Sequence, residues 1–158
     1  RKLAKVGDEP AVTRAQQTSQ LDIANWLTDT PGLLWPKIEH ASDGFMLAAS
    51  NAVGRNAMRD EEVAGFLAAL LLRRYPQALS GRYALAADSL PALDGVAVIE
   101  AIARRRGLLL RGGLIDREKA SRVLLQDYRD GLLGRISLET PATRSAMLQA
   151  SEAPAVAD

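Results

Sequence analysis

Asp60-Glu61-Glu62-Val63-Ala64-Gly65-Phe66-Leu67-Ala68-Ala69-Leu70-Leu71-Leu72-Arg73-Arg74 decides the class of this chain. Val63, Phe66, Leu67, Leu70 and Leu71 recur at i, i+3, i+4, i+7 and i+8, the spacing of one helix face. Acids fill the first turn and arginines the last, as the helix dipole favours. Asp60 is the expected cap. The helix is expected to end near Tyr75, because Pro76 disfavours helical backbone in the residue before it.

The same period extends on both sides. Upstream, Phe45, Met46, Ala49, Ala52 and Val53 share a face behind a Ser42 or Asp43 cap. Downstream, a helix starts near Asp94, buries Val98, Ile99 and Ile102, and ends on Arg104-Arg105-Arg106 with Gly107 as its cap. Another opens at Asp116, buries Ala120, Val123, Leu124 and Tyr128, and stops at Gly131. Residues 42–131 therefore read as one compact helical domain. Arg135-Ile136-Ser137-Leu138-Glu139 alternates and is expected to be a short strand. From Thr140 the chain is rich in Ala, Ser and Pro, and residues 141–158 are expected to be a disordered tail.

Composition narrows the function classes. The 158 residues are 47% hydrophobic and 25% charged, an ordinary globular balance. There is no cysteine, which removes disulfides and thiolate metal sites. The single histidine, His40, argues against a site needing two imidazoles and reads as a surface or capping residue. No apolar run approaches the roughly 20 residues of a membrane-spanning helix. No membrane partner is expected, and a cytoplasmic location is. Arg1 opens the chain without a Met, and the text reads as one entered partway through.

Residues 1–38 differ from the rest, with short apolar stretches broken by Gly7, Pro10, Pro31, Gly32 and Pro36. Leu21 to Thr28 reads as a strand running into Asp29-Thr30-Pro31-Gly32. In a nucleotide-hydrolysing P-loop fold, an acid ending a buried strand holds Mg²⁺, usually through a water. A glycine just after it offers its N–H to the γ-phosphate, where a side chain would block the approach. The tetrapeptide also fits an ordinary β-turn with Pro at its second corner. Thr13, on the loop-like stretch before the strand, suits Mg²⁺ and γ-phosphate coordination by a mobile segment. A plain solvent loop is its other reading.

Ala4-Lys5-x-Gly7-Asp8-x-Pro10-x-Val12-Thr13-x-x-Gln16-Gln17, followed by Asp29-Thr30-Pro31-Gly32-Leu33-Leu34-Trp35-Pro36-Lys37, resembles the YlqF-type, circularly permuted ribosome biogenesis GTPases A. The likeness runs on through Tyr75-Pro76, Arg82-Tyr83, Arg104-Arg105-Arg106-Gly107, Gly112-Gly113 and Gly134-Arg135-Ile136-Ser137-Leu138-Glu139. It implies a mainly α chain: a partial P-loop α/β GTPase segment over 1–38, then a helical RNA- and ribosome-binding domain over 39–140. It implies GTP hydrolysis with Mg²⁺ in the parent protein, and the large ribosomal subunit precursor and its rRNA as partners. Thr13 matches the switch I threonine, and Asp29, Thr30, Pro31 and Gly32 match switch II. Thr13 and Asp29 would serve Mg²⁺, the latter through water. Leu33 stands where many GTPases carry a catalytic Gln, and His40 does not occupy the family's catalytic position. Ala11 and Arg14 depart from the family pattern, which usually has Gly and a polar residue there.

A phosphate loop, G-x-x-x-x-G-K-[ST], is absent from the sequence: Gly107 and Gly112 have the spacing, but Gly113-Leu114 follow. No Asn is followed by Lys, so N-K-x-D is absent as well. In the permuted family those elements precede switch I. The expectation is a C-terminal piece that neither binds nor hydrolyses GTP appreciably by itself. The rival reading is a stand-alone helical RNA-binding or regulatory module resembling antitermination-type domains, with residues 1–38 as a non-catalytic arm.

The net charge of +1 hides a local excess, because residues 104–135 hold nine Lys/Arg against four Asp/Glu. Arg104, Arg105, Arg106, Arg111, Lys119 and Arg122 form the candidate RNA patch. Three successive arginines point three ways around a helix, so not all can face one ligand. A solvated face with cations near helix C-termini is the bland alternative. Only Tyr128 offers an aromatic nearby, and its spacing makes it core, which favours structured RNA read by shape over single-strand stacking, and the family resemblance tips the balance to RNA.

Overall fold

The computed structural model describes residues 16–29, 37–53 and 58–152. Strands β1 (Gln17–Gln20) and β2 (Trp26–Asp29) pair antiparallel, with Gln17 opposite Asp29 and Gln20 opposite Trp26. Six α-helices are described: α1 (Ala41–Ala49), α2 (Asp60–Arg74), α3 (Pro76–Tyr83), α4 (Gly95–Arg106), α5 (Arg117–Arg129) and α6 (Pro141–Glu152). A 3-10 helix, Ala87–Ala92, links α3 to α4.

Helix α2 is the hub, packing against α1, α3, α4 and α5. Its expected stripe is inside: Val63, Leu67, Leu70 and Leu71 are buried, while Phe66 is half-buried and stacks on Phe45 of α1 at 5.2 Å. Val98, Ile99 and Ile102 of α4 and Leu124 and Leu125 of α5 complete the core. Burying each such side chain contributes about 1.5–3 kcal/mol before the entropy of ordering it. Where α4 begins, its backbone touches α2: a Cβ on Gly95 would stand 2.2 Å from the Gly65 carbonyl oxygen. Only glycine permits that approach.

The caps follow sequence rules in two helices. Asp94 accepts from the Ala97 N–H at 2.7 Å and Asp116 from the Lys119 N–H at 2.9 Å. Gly107 ends α4 at φ 64°, the left-handed region open to glycine. Elsewhere they differ. Helix α1 is capped by the backbone of His40, and Asp43 is instead taken by Arg144 of α6. Arg59 caps α2, with Asp60 inside the helix.

Three expected elements are corrected. Leu21 to Asn25 is a turn, not strand: the Asp22 carboxylate accepts from the N–H groups of Ala24 and Asn25 at 2.8 Å each, and Leu21 N–H bonds Asn25 O. The local Asx bonds outweigh the alternation of Leu21 and Ile23. Residues 135–139 form no strand, because side chains meet their backbone: Arg74 donates to Leu138 O at 2.8 Å, and the Tyr75 hydroxyl donates to Ser137 O at 3.2 Å. Residues 141–152 of the expected tail are helix α6. Thr140 accepts from the Thr143 N–H at 3.2 Å, Pro141 suits a first helical position, and Arg144 bridges to Asp43 and Glu139.

Candidate nucleic-acid interface

The last turn of α4, residues 107–116 and the first turns of α5 carry the six expected cations. Their connecting loop is a small hairpin. Leu109 and Ile115 form a β-bridge, Leu110 N–H donates to Leu114 O at 2.8 Å, and Gly113 N–H donates to Leu110 O at 3.1 Å. The tip needs left-handed backbone at Gly112 (φ 84°) and Gly113 (φ 79°), which explains the glycine pair. Arg111 stands exposed there between exposed Leu110 and Leu114.

The arginines diverge as helix geometry requires. Arg104 turns back to Glu100 at 3.1 Å, one helical turn away. Glu100 also receives Arg117 Nε at 2.9 Å, which ties α4 to the start of α5. Arg117, with Arg104 behind it, holds the Glu100 carboxyl below the usual range. Arg122 pairs with Glu118 at 3.4 Å on the open face of α5. Arg105, Arg111 and Lys119 are exposed, and no ion pair reaches them among the described residues.

Arg106 has a different environment. Its Nη2 donates to Asp127 Oδ2 at 3.2 Å, and its guanidinium lies 5.4 Å from the centre of the Tyr83 ring. Arg82 of α3 takes the same carboxylate in a fork, with Nε on Oδ2 and Nη2 on Oδ1, both at 2.9 Å. Asp127 is buried, with 6% of its surface exposed. Burial pushes its carboxyl up, but the Arg82 fork, the nearby Tyr83 hydroxyl and the Arg82 and Arg106 charges outweigh that and leave it below the ordinary aspartate range. Burial, then the Asp127 carboxylate, raise the Tyr83 phenol far above its ordinary value, so it stays neutral. The Tyr83 hydroxyl has no hydrogen-bond partner among the described residues.

Arg82 and Asp127 were outside the expected patch. A signal for Asp127 existed. It lies three residues after Leu124 and seven after Ala120, on the apolar stripe of α5, where a carboxylate demands a cationic partner. Nothing in the local pattern of α3 pointed to Arg82. Arg129 also leaves the open face: it donates to Ala48 O and Ala49 O at 2.9 Å each and closes the C-terminus of α1.

Of the nucleotide-site residues, Asp29 ends β2, while Thr13, Thr30, Pro31 and Gly32 lie outside the described residues. Among the described residues, no group of three or more His, Cys, Asp or Glu is placed to hold a metal. No helix among them is long and apolar enough to cross a membrane.

No family model matches the chain. Ribosome biogenesis GTPase A of Bacillus cereus is 39% identical over 139 residues, covering 88% of this chain and 46% of that protein. This chain is a homologue of ribosome biogenesis GTPase A. The Priestia megaterium protein of that name is 36% identical over 142 residues, covering 90% of this chain and 48% of its own length. Mitochondrial ribosome-associated GTPase 1 of Mus musculus is 33% identical over 150 residues, covering 87% and 46%. The chain thus spans about half the length of the curated relatives it matches.

Proposed function

We propose that this chain belongs to a GTP-hydrolysing assembly factor for the large ribosomal subunit, and that its helical domain binds structured rRNA. The observation that carries the RNA reading is the exposed trio Arg105, Arg111 and Lys119, without an ion pair among the described residues and spread over the end of α4, the hairpin tip and the start of α5. Arg104 and Arg122 are held only by surface pairs, which cost little to exchange for phosphate. Homology to ribosome biogenesis GTPases supports the ribosomal partner.

In this reading Thr13 and Asp29 serve Mg²⁺, and Thr30, Pro31 and Gly32 line the γ-phosphate, as the family likeness implies. The ion would neutralise phosphate charge. The sequence holds no G-x-x-x-x-G-K-[ST], so most backbone contacts to phosphate must come from elsewhere.

The decisive experiment measures cosedimentation of the 158-residue chain with large-subunit precursor particles and with their isolated rRNA. R105E/R111E/K119E is expected to weaken both at least tenfold with unchanged helicity. Each lost phosphate contact should flatten the salt dependence by about 0.9 log units per log unit of salt. Unchanged binding overturns the interface. Separately, the chain alone is expected to show no submicromolar GTP affinity by calorimetry, and a submicromolar value would overturn that part of the reading.

A further inference from the structure

Arg82, Tyr83, Arg106 and Asp127 bring three helices together, and their charges do not cancel. One forked arginine already satisfies a buried carboxylate. Here Arg82 supplies the fork, and Arg106 adds a second guanidinium to the same Oδ2. Tyr83 stays neutral, so the cluster carries an excess positive charge. Both arginine side chains keep about a third of their surface open, 31% and 35%, whereas the Asp127 side chain keeps 9%. The acid is inside and the cations reach the surface.

The donors are not used up. Among the described residues no hydrogen bond engages Nη1 of Arg82, or Nε and Nη1 of Arg106. Arg82 Nε and Arg106 Nη2 both donate to Oδ2, at 2.9 and 3.2 Å, so the shared oxygen makes the two guanidiniums immediate neighbours. Charge-assisted bonds from neighbouring guanidiniums suit a phosphate, which offers several acceptor oxygens. Arg106 is further steadied by the Tyr83 ring beneath it.

From this geometry we infer that Arg82 and Arg106 form a two-guanidinium clamp for a single RNA phosphodiester, with Asp127 as the residue that positions both. The clamp rests on the RNA reading above and extends it to α3. Arg105, next in sequence and exposed, turns to another side of the same helix end, which places the clamp beside the proposed face. An acidic peptide would also meet two guanidiniums, but the neighbouring cationic loop with exposed Arg111 and Lys119 favours nucleic acid.

The test compares affinities for the same isolated rRNA at fixed salt. R106Q is expected to bind about tenfold more weakly, and it leaves the Arg82–Asp127 fork in place to protect folding. R106K keeps the charge but loses the planar donor fork, and is expected to lose nearly as much. D127N adds a net positive charge, which a purely electrostatic role would turn into tighter binding. The clamp requires weaker binding instead, by about threefold to tenfold, because both guanidiniums lose their common anchor. If D127N does not fold, as judged by circular dichroism, the two Arg106 variants decide. Wild-type affinity in R106Q and R106K overturns the clamp, while sensitivity to R105E/R111E/K119E in the same assay leaves the RNA face standing. A wild-type chain that binds no rRNA overturns both. Losses confined to an acidic peptide, with rRNA binding intact, assign the clamp to protein and overturn it for RNA.

Discussion

The helical bundle and the β1–β2 hairpin make opposite use of their apolar residues. In the bundle, Leu67, Leu71, Ile102 and Leu124 have no exposed surface. In the hairpin region Ile23 is 98% exposed, Trp26 62% and Leu27 50%. The two strands satisfy one another's backbone but bury almost nothing. An isolated two-stranded hairpin is marginal in water. The difference separates stability from motif: helices carry the core, and the hairpin carries the approach to Asp29-Thr30-Pro31-Gly32.

That contrast can be broken in a graded series. The largest effect is expected from D127A, which strips the shared acid from two arginines. It removes three charge-assisted hydrogen bonds that tie α3, α4 and α5 together, while both arginines keep access to water, and the loss is read as a lower urea midpoint. L67A should follow at about 2–5 kcal/mol, since Leu67 has no exposed surface on a helix that packs against four others, and a cavity there cannot collapse freely. If L67A leaves the midpoint unchanged, α2 is not the hub.

The Asp127 carboxyl also sets a pH dependence. Its folded pKa lies below the ordinary 3.8, so its stabilisation is complete above that value and is lost as pH falls through the lower folded one. Wild type should therefore lose stability across that acid window, and D127N should lose less there. Parallel curves for the two proteins would show that Asp127 contributes no such linkage. The smallest effect belongs to the hairpin. W26A should move the unfolding midpoint of the helices by no more than about 0.5 kcal/mol, because its ring is mostly in solvent already. A large shift would mean that the hairpin shares the bundle's core.

Much of the bundle was legible because helix periodicity and caps are local. Val63 to Leu71, the Asp94 and Asp116 caps and the Gly107 terminus all follow from neighbours within one or two turns. The misses are also physical. Leu21 and Ile23 alternate as a strand does, but Asp22 offers its carboxylate to the backbone and makes a turn. Residues 135–139 alternate too, yet Arg74 and Tyr75 occupy their carbonyls from another helix. Residues 141–152 look like tail by composition, but a Thr140 cap and a long-range bridge from Arg144 to Asp43 hold a helix.

The candidate site divides in the same way. Sequence alone placed a cationic block between Arg104 and Arg122, since counting charge needs no coordinates. It also showed that three adjacent arginines must diverge. Which one turned inward depended on what stood across the gap, and only the packing of α3 and α5 against α4 answered that. A carboxylate on a buried stripe must find a cation, and the fold brought it two. Tertiary structure therefore decided that Arg105 faces solvent, that Arg106 faces Asp127, and that Arg82, distant in sequence, joins them. Side-chain pairing of this kind is set by proximity across helices, and local sequence holds no record of it.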